Sequence, residues 1–202
     1  MTDEATRHNQ AAYDQIAGLY AQRQAGSGRL CADLREAFAA RLTPAAKLAD
    51  LGCGPAFDSV SFATAGHRVT GIDRSAGMLA AAGRVLPGSL VQADMRRLPV
   101  TSGSLDGIWC CAALLHVPED QTMAVLSEMR RVLRPGGHLA LVTAIGDGMR
   151  LEPVPYAPGV QRWFFYRSAR ALRDQLHAAG LQVLTATEER ASRHWFKVLA
   201  AA

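Results

Sequence analysis

At 202 residues, 49% of them hydrophobic, the chain is long enough for one sizeable core and too short for two ordinary domains with a linker, so residues 1–202 read as a single domain. The net charge of +4 is mild, and the pairs Arg96-Arg97 and Arg130-Arg131 are scattered rather than gathered into a basic tract, which argues against a nucleic-acid partner. The start, MTDEATRHNQ, is polar and no run approaches the length of a membrane span, so neither leader nor membrane is expected, and the expected location is cytoplasmic.

Tyr13, Ile16, Ala17 and Tyr20 fall at i, i+3, i+4 and i+7, one apolar stripe on an N-terminal helix. Leu30, Leu34, Phe38 and Leu42 predict a second helix that ends at Thr43-Pro44. Short apolar runs then alternate with helical segments: strands near 46–52, 68–73, 88–93, 105–111 and 138–144, helices near 56–65, 75–84 and 119–133. That alternation predicts an α/β fold with a mostly parallel sheet covered on both faces. The helix at 119–133 sets Thr122, Val125, Leu126, Met129, Val132 and Leu133 on one face, and Pro135-Gly136-Gly137 stops it.

The next segment, GDGMRLEPVPYAPGVQRWFFY, reads as irregular yet too apolar for a plain linker. A helix near 168–179, closed by Gly180, leads into strands near 181–187 and 193–200, whose short connection predicts an antiparallel hairpin at the sheet edge. Cys31, Cys53, Cys110 and Cys111 form no C-x-x-C pair and the histidines have no ligand spacing, so no metal is expected. Neighbouring Cys110 and Cys111 point to opposite faces of a strand, and the four cysteines read as small core residues.

The chemistry sits in KLADLGCGPAFDSVSFATAGHRVTGIDRS, Lys47 to Ser75. Gly52 and Gly54 close the first strand, where a missing Cβ lets the loop bend and lets backbone approach a ligand. Asp73 closes the second, a position from which a carboxylate accepts hydrogen bonds from ribose hydroxyls. A nucleoside therefore fits. A nicotinamide dinucleotide fits poorly: the third glycine of G-x-G-x-x-G would fall at Phe57, and Asp50 would set a negative charge beside the pyrophosphate, whereas the same carboxylate suits an ammonium.

LADLGCGPA, VTGIDRSAGML, VQADMRRLPV, LDGIWCCAALLHVPED and EMRRVLRPGGHLALV, in that order, resemble the successive motifs of the class I S-adenosylmethionine-dependent methyltransferases, over nearly the whole chain. The resemblance implies a Rossmann-like, doubly wound seven-stranded sheet with an antiparallel last strand, and S-adenosylmethionine as cofactor. It implies that Gly52, Gly54 and the backbone around Cys111 face the methionine portion, that Asp50 helps hold its amino group, and that Asp73 clamps the ribose. Asp94 would accept from the adenine amine, the Met95 N–H would meet a ring nitrogen, and Met78 would pack on the adenine face with Arg74 nearby. Two features stand apart: Ala56 replaces a frequent third glycine, and Gly77 sits inside a predicted helix at a cost of about 1 kcal/mol relative to alanine, for no reason visible in the sequence.

The candidate base is His116, just past the fourth strand, whose ordinary pKa suits proton removal at neutral pH; the competing role is to tie its own loop. Tyr13 and Tyr20 either pack the first helix on the sheet or reach the methionine end, and Tyr20 is the expected contact. Residues 1–44 would then cover the cofactor, and residues 146–167 would form a lid whose Tyr156, Trp163 and Tyr166 face the acceptor. The sequence lacks the Asn-Pro-Pro-Tyr and Pro-Cys signatures of base methylation and the acidic metal cluster of catechol-type enzymes, so the expected acceptor is a small molecule, taken by a monomer or homodimer. Three alternatives stay open: a protein of this fold that binds cofactor without methyl transfer, a nicotinamide oxidoreductase, and a macromolecular acceptor.

Overall fold

The computed structural model describes residues 2–86, except 25–30, and residues 88–202. Leu30, expected in the second helix, lies outside them. The order is α1 (Thr2–Gln24), α2 (Ala32–Ala39), β1 (Lys47–Leu51), α3 (Phe57–Thr64), β2 (Arg68–Asp73), α4 (Ala76–Ala82), β3 (Leu90–Gln92), β4 (Leu105–Cys111), α5 (Thr122–Val132), β5 (Leu133–Ala144), β6 (Met149–Pro153), β7 (Gln161–Phe165), α6 (Ala169–Ala178), β8 (Gln182–Arg190) and β9 (His194–Ala201).

Seven strands form one sheet in the order β3-β2-β1-β4-β5-β9-β8. The first five are parallel neighbours, and β9 runs antiparallel between β5 and β8. The order reverses between β1 and β4, so the loops after these two strands diverge and leave a crevice at their carboxyl ends. Alternation along β4 builds both faces of the core: Ile108 and Cys110 join α5 and α6 on one side, and Trp109 joins Phe38 of α2 and Phe62 of α3 on the other.

Three departures from the sequence reading have physical reasons. β5 begins at Leu133 rather than 138; it pairs Leu133 with Leu105, bulges through Pro135-Gly136-Gly137 with Gly136 at φ +72°, and rejoins at His138 opposite Gly107. The supposedly irregular segment is a second, two-stranded sheet, with β6 and β7 paired from Met149↔Phe165 to Pro153↔Gln161. The stripe on α1 packs away from the main sheet: Ile16 and Ala17 bury against Met78 of α4 and against Val154, Ala157 and Val160 of the hairpin loop.

Gly77 is explained by that docking. Its N–H donates to Asp14 Oδ1 at 2.8 Å, and a Cβ there would stand 2.8 Å from the Asp14 carbonyl oxygen and 2.9 Å from its Cα. α1 can therefore cross α4 only over a glycine. Ser75 caps α4 by accepting from the Met78 N–H, and its own hydroxyl donates to Asp14.

Candidate active site

Two clefts, of about 930 and 1550 Å³, open side by side along the crevice. They share a wall made of the loops after β1 and β4 (Gly52, Gly54, Cys111, Ala112), of His116, and of Tyr13 and Tyr20 from α1.

The first cleft follows the ends of β1, β2 and β3. Gly52 turns the chain at φ +69°, and a Cβ on it would lie 2.3 Å from the Ala113 Cβ, so the loops after β1 and β4 meet only because Gly52 has none. The Gly54 N–H donates to Asp73 Oδ2 at 2.9 Å and the Ser75 N–H to Oδ1 at 2.8 Å. Burial nevertheless raises the pKa of Asp73, so hydroxyl donors from a ligand would further satisfy a carboxylate held out of water. Met78, only 2% exposed, forms an apolar slot with Ile72, Ala93 and Met95, suited to a planar base.

Asp94 stands at the rim of that slot, held by Arg74 and by both Nε and Nη2 of Arg96. Burial opposes its ionisation, but the hydrogen bonds of Arg96 and the positive charge of both arginines outweigh this and hold its pKa down. Ala56, the departure from the glycine pattern, adopts φ +66°, a left-handed conformation that costs a residue with a Cβ about 1–2 kcal/mol. Of the residues expected at the cofactor, Tyr20, Gly52, Gly54, Asp73, Arg74, Met78, Asp94, Met95 and Cys111 all line this cleft. Asp50 does not; it lies on the second cleft beside the shared wall, where Ser59 donates to it at 2.6 Å. Burial, reinforced by the negative Asp58, pushes its pKa up to about 7.

The second cleft runs from the shared wall to the β6–β7 hairpin, and His116 stands between the two. A carbonyl only accepts, so the 2.8 Å contact of His116 Nδ1 with the Trp163 carbonyl places the proton on Nδ1. Nε2 then accepts the Tyr13 hydroxyl at 2.6 Å, and Arg162 Nη1 donates to the same tyrosine oxygen at 3.0 Å. Burial pushes the His116 pKa down to about 3. This corrects the expectation of a histidine poised to take protons at neutral pH: its proton affinity is low and its lone pair already engaged.

Of the three residues expected at the acceptor, Tyr156 lines the second cleft. Trp163 and Tyr166 do not. Trp163 offers its backbone to His116 while its indole stacks on Phe165, and the Tyr166 hydroxyl donates to Glu152 at 2.5 Å beside Arg193. β7 alternates so that Arg162 and Phe164 face the cleft instead.

Sequence reasoning passed over Arg162 and Asn9. The Asn9 amide accepts from the Trp163 N–H at 2.7 Å and donates to the Trp163 carbonyl at 2.9 Å, pinning β7 to α1. Its place one turn before Tyr13, in line with the apolar stripe, was the available signal. The Cys111 side chain, expected in the core while its backbone faces the cofactor, has its sulfur 3.0 Å from that of Cys31, and neither cysteine is in a disulfide. Among the described residues no three His, Cys, Asp or Glu side chains gather as a metal site, and no helix is long and apolar enough to cross a membrane.

Residues 49–141 match the methyltransferase domain family. The chain is 34% identical, over 74% of its length and 60% of the relative's, to a malonyl-[acyl-carrier protein] O-methyltransferase of Erwinia billingiae. It is 40% identical, over 51% of its length and 44% of the relative's, to a demethylmenaquinone methyltransferase of Mycolicibacterium gilvum. The chain thus spans about half the length of the curated relatives it matches. Its fold is that of the Burkholderia thailandensis 1,6-didemethyltoxoflavin-N1-methyltransferase, a structure with bound S-adenosylhomocysteine, at a TM-score of 0.77 and 21% identity over 100% of this chain and 90% of that one. Residues 49–141 thus carry the match to a methyltransferase domain, the chain is similar to methyltransferases over most of its length, and the cofactor to which this similarity points is S-adenosylmethionine. The first cleft fits that group: an apolar slot that would take the base, the buried Asp73 carboxylate that would accept from hydroxyls, and the Gly52 turn at the wall shared with the second cleft.

Proposed function

We propose that the chain transfers the methyl group of S-adenosylmethionine to a small-molecule acceptor held in the second cleft. One observation carries this: the two clefts meet at a single wall, so a nucleoside in the first and an acceptor in the second would touch the same residues, Gly52, Cys111 and Ala112. Asp73 would hold the ribose, Asp94 the adenine amine, and Asp50 the ammonium of the methionine portion. An ammonium beside Asp50 replaces its unfavourable burial with an ion pair and restores its ionised form. When bound, the cofactor supplies an electrophilic methyl group on a sulfonium, so the protein's task is alignment and exclusion of water.

α1 and the 146–167 segment perform that task as cover and lid. His116 acts as a positioning residue, fixing the Tyr13 hydroxyl and the Trp163 backbone at the junction of the clefts. The relatives named above differ in acceptor, so the acceptor class must be sought in this chain's own second cleft.

The test is a pair of measurements. S-adenosylhomocysteine at about 100 times its dissociation constant adds roughly 2.7 kcal/mol of stability, a rise of about 5–10 °C in the unfolding midpoint, and Asp73→Ala abolishes it. Labelled methyl from S-adenosylmethionine is then offered with small-molecule acceptors. Transfer supports the proposal; binding without transfer to any acceptor leaves a cofactor-binding protein of the same fold and sinks it.

A further inference from the structure

We infer that the second cleft recognises an acceptor bearing a carboxylate, and that Arg162 is the residue that docks it. The inference rests on the second cleft being the acceptor site.

Three arginines line the second cleft, and two of them are neutralised. Arg35 pairs with Asp58, which also accepts from the Trp109 indole at 2.9 Å. Arg193 takes both carboxylate oxygens of Glu152, at 3.2 and 2.7 Å. Arg162 stands directly across the β6–β7 ladder from that same Glu152, the position from which a cross-strand ion pair would form, yet Glu152 is spent on Arg193 and Tyr166. Among the described residues Arg162 has no carboxylate partner. Its single hydrogen bond there is from Nη1 to the Tyr13 hydroxyl, and its buried Nε–H has no acceptor at all.

A guanidinium with no counter-charge is best satisfied by a carboxylate, which accepts charge-assisted hydrogen bonds from its N–H groups. The guanidinium carbon lies over the rings of Tyr13 and Phe164, at 5.2 and 5.4 Å, which limits its movement at the wall of the cleft that Arg162 lines. A native structure seldom leaves a guanidinium in a part-enclosed apolar site without a counter-charge; a ligand that brings the charge completes it. The chemistry of the site agrees. His116 is engaged at both ring nitrogens, so the cleft has no free imidazole to deprotonate a neutral acceptor, and a carboxylate arrives already ionised.

The experiment titrates four small monoaromatic probes into the protein saturated with S-adenosylhomocysteine: phenylacetate, phenylacetamide, 4-methylphenol and phenethylamine, followed by calorimetry at pH 7.5. Wild type, Arg162→Gln and Arg162→Lys are compared, and the thermal shift with S-adenosylhomocysteine reports in each that the fold and the first cleft are intact. The expected result is binding of phenylacetate at least tenfold tighter than of the other three, weakened at least tenfold in Arg162→Gln and only partly kept in Arg162→Lys. Equal binding of the amide, phenol or amine, or unchanged phenylacetate binding in Arg162→Gln, overturns the carboxylate while leaving an acceptor site. Binding of none of the four, with the S-adenosylhomocysteine shift intact, overturns the acceptor site and the carboxylate together.

Discussion

Two buried titratable groups, His116 in the shared wall and Asp50 beside it, have opposite consequences for stability. His116 has a folded pKa of about 3, so as pH falls from 6.5 the unfolded histidine takes a proton that the native one refuses, and acid destabilises. Asp50 has a folded pKa of about 7, so over the same interval the native carboxylate keeps a proton that the unfolded one has lost, and acid stabilises. Each contributes about 1.4 kcal/mol per pH unit between about 4 and 6.5, with opposite sign, and the two offset one another. Asp50→Asn removes one side of the balance: between pH 6.5 and 4.5 the variant should lose about 2–3 kcal/mol more than wild type, read from urea unfolding at the two pH values. An identical pH dependence would mean that Asp50 is ionised in the fold.

Packing between elements decides the two substitutions that sequence rules alone would misjudge. In a solvated helix Gly77→Ala would add about 1 kcal/mol. Here the new methyl meets the backbone of Asp14, which has no rotamer to yield, so α1 must lift from α4 at a cost of about 1–3 kcal/mol. Faster proteolysis within α1 and weaker S-adenosylhomocysteine binding would register it. Arg167, 2% exposed, donates to the carbonyls of Leu114, Phe165 and Val117, tying the His116 turn to the end of β7. Burial lowers its pKa only to about 10, so the charge persists. Arg167→Met fills the space but strands those carbonyls, and urea unfolding should show a loss of about 2 kcal/mol.

At the scale of the molecule, the legible parts of the sequence are those written in short-range pattern. Apolar runs ended by Gly52, Asp73 or Asp94 marked both the strands and the first cleft, because in this fold ligand-facing residues sit where strands stop. The second cleft was not legible, because its hydrogen bonds join residues more than a hundred positions apart, Tyr13 with His116 and Arg162 with Tyr13. β7 escaped notice for a local reason: Phe164 and Phe165 are both buried, which erases the two-residue alternation, and Pro153 closes β6. The place of β9 carries a consequence for synthesis. β5 waits for its second neighbour while roughly fifty further residues are made, several seconds at about 5–20 residues per second. For that interval HLALVTA, seven residues that pair with β9 in the finished sheet, presents a bare apolar edge to the cytosol of any expression host. Slower growth at low temperature or added chaperone should therefore raise soluble yield, and a chain cut after Arg193 should reach the insoluble fraction, since it lacks an inner strand rather than a border one.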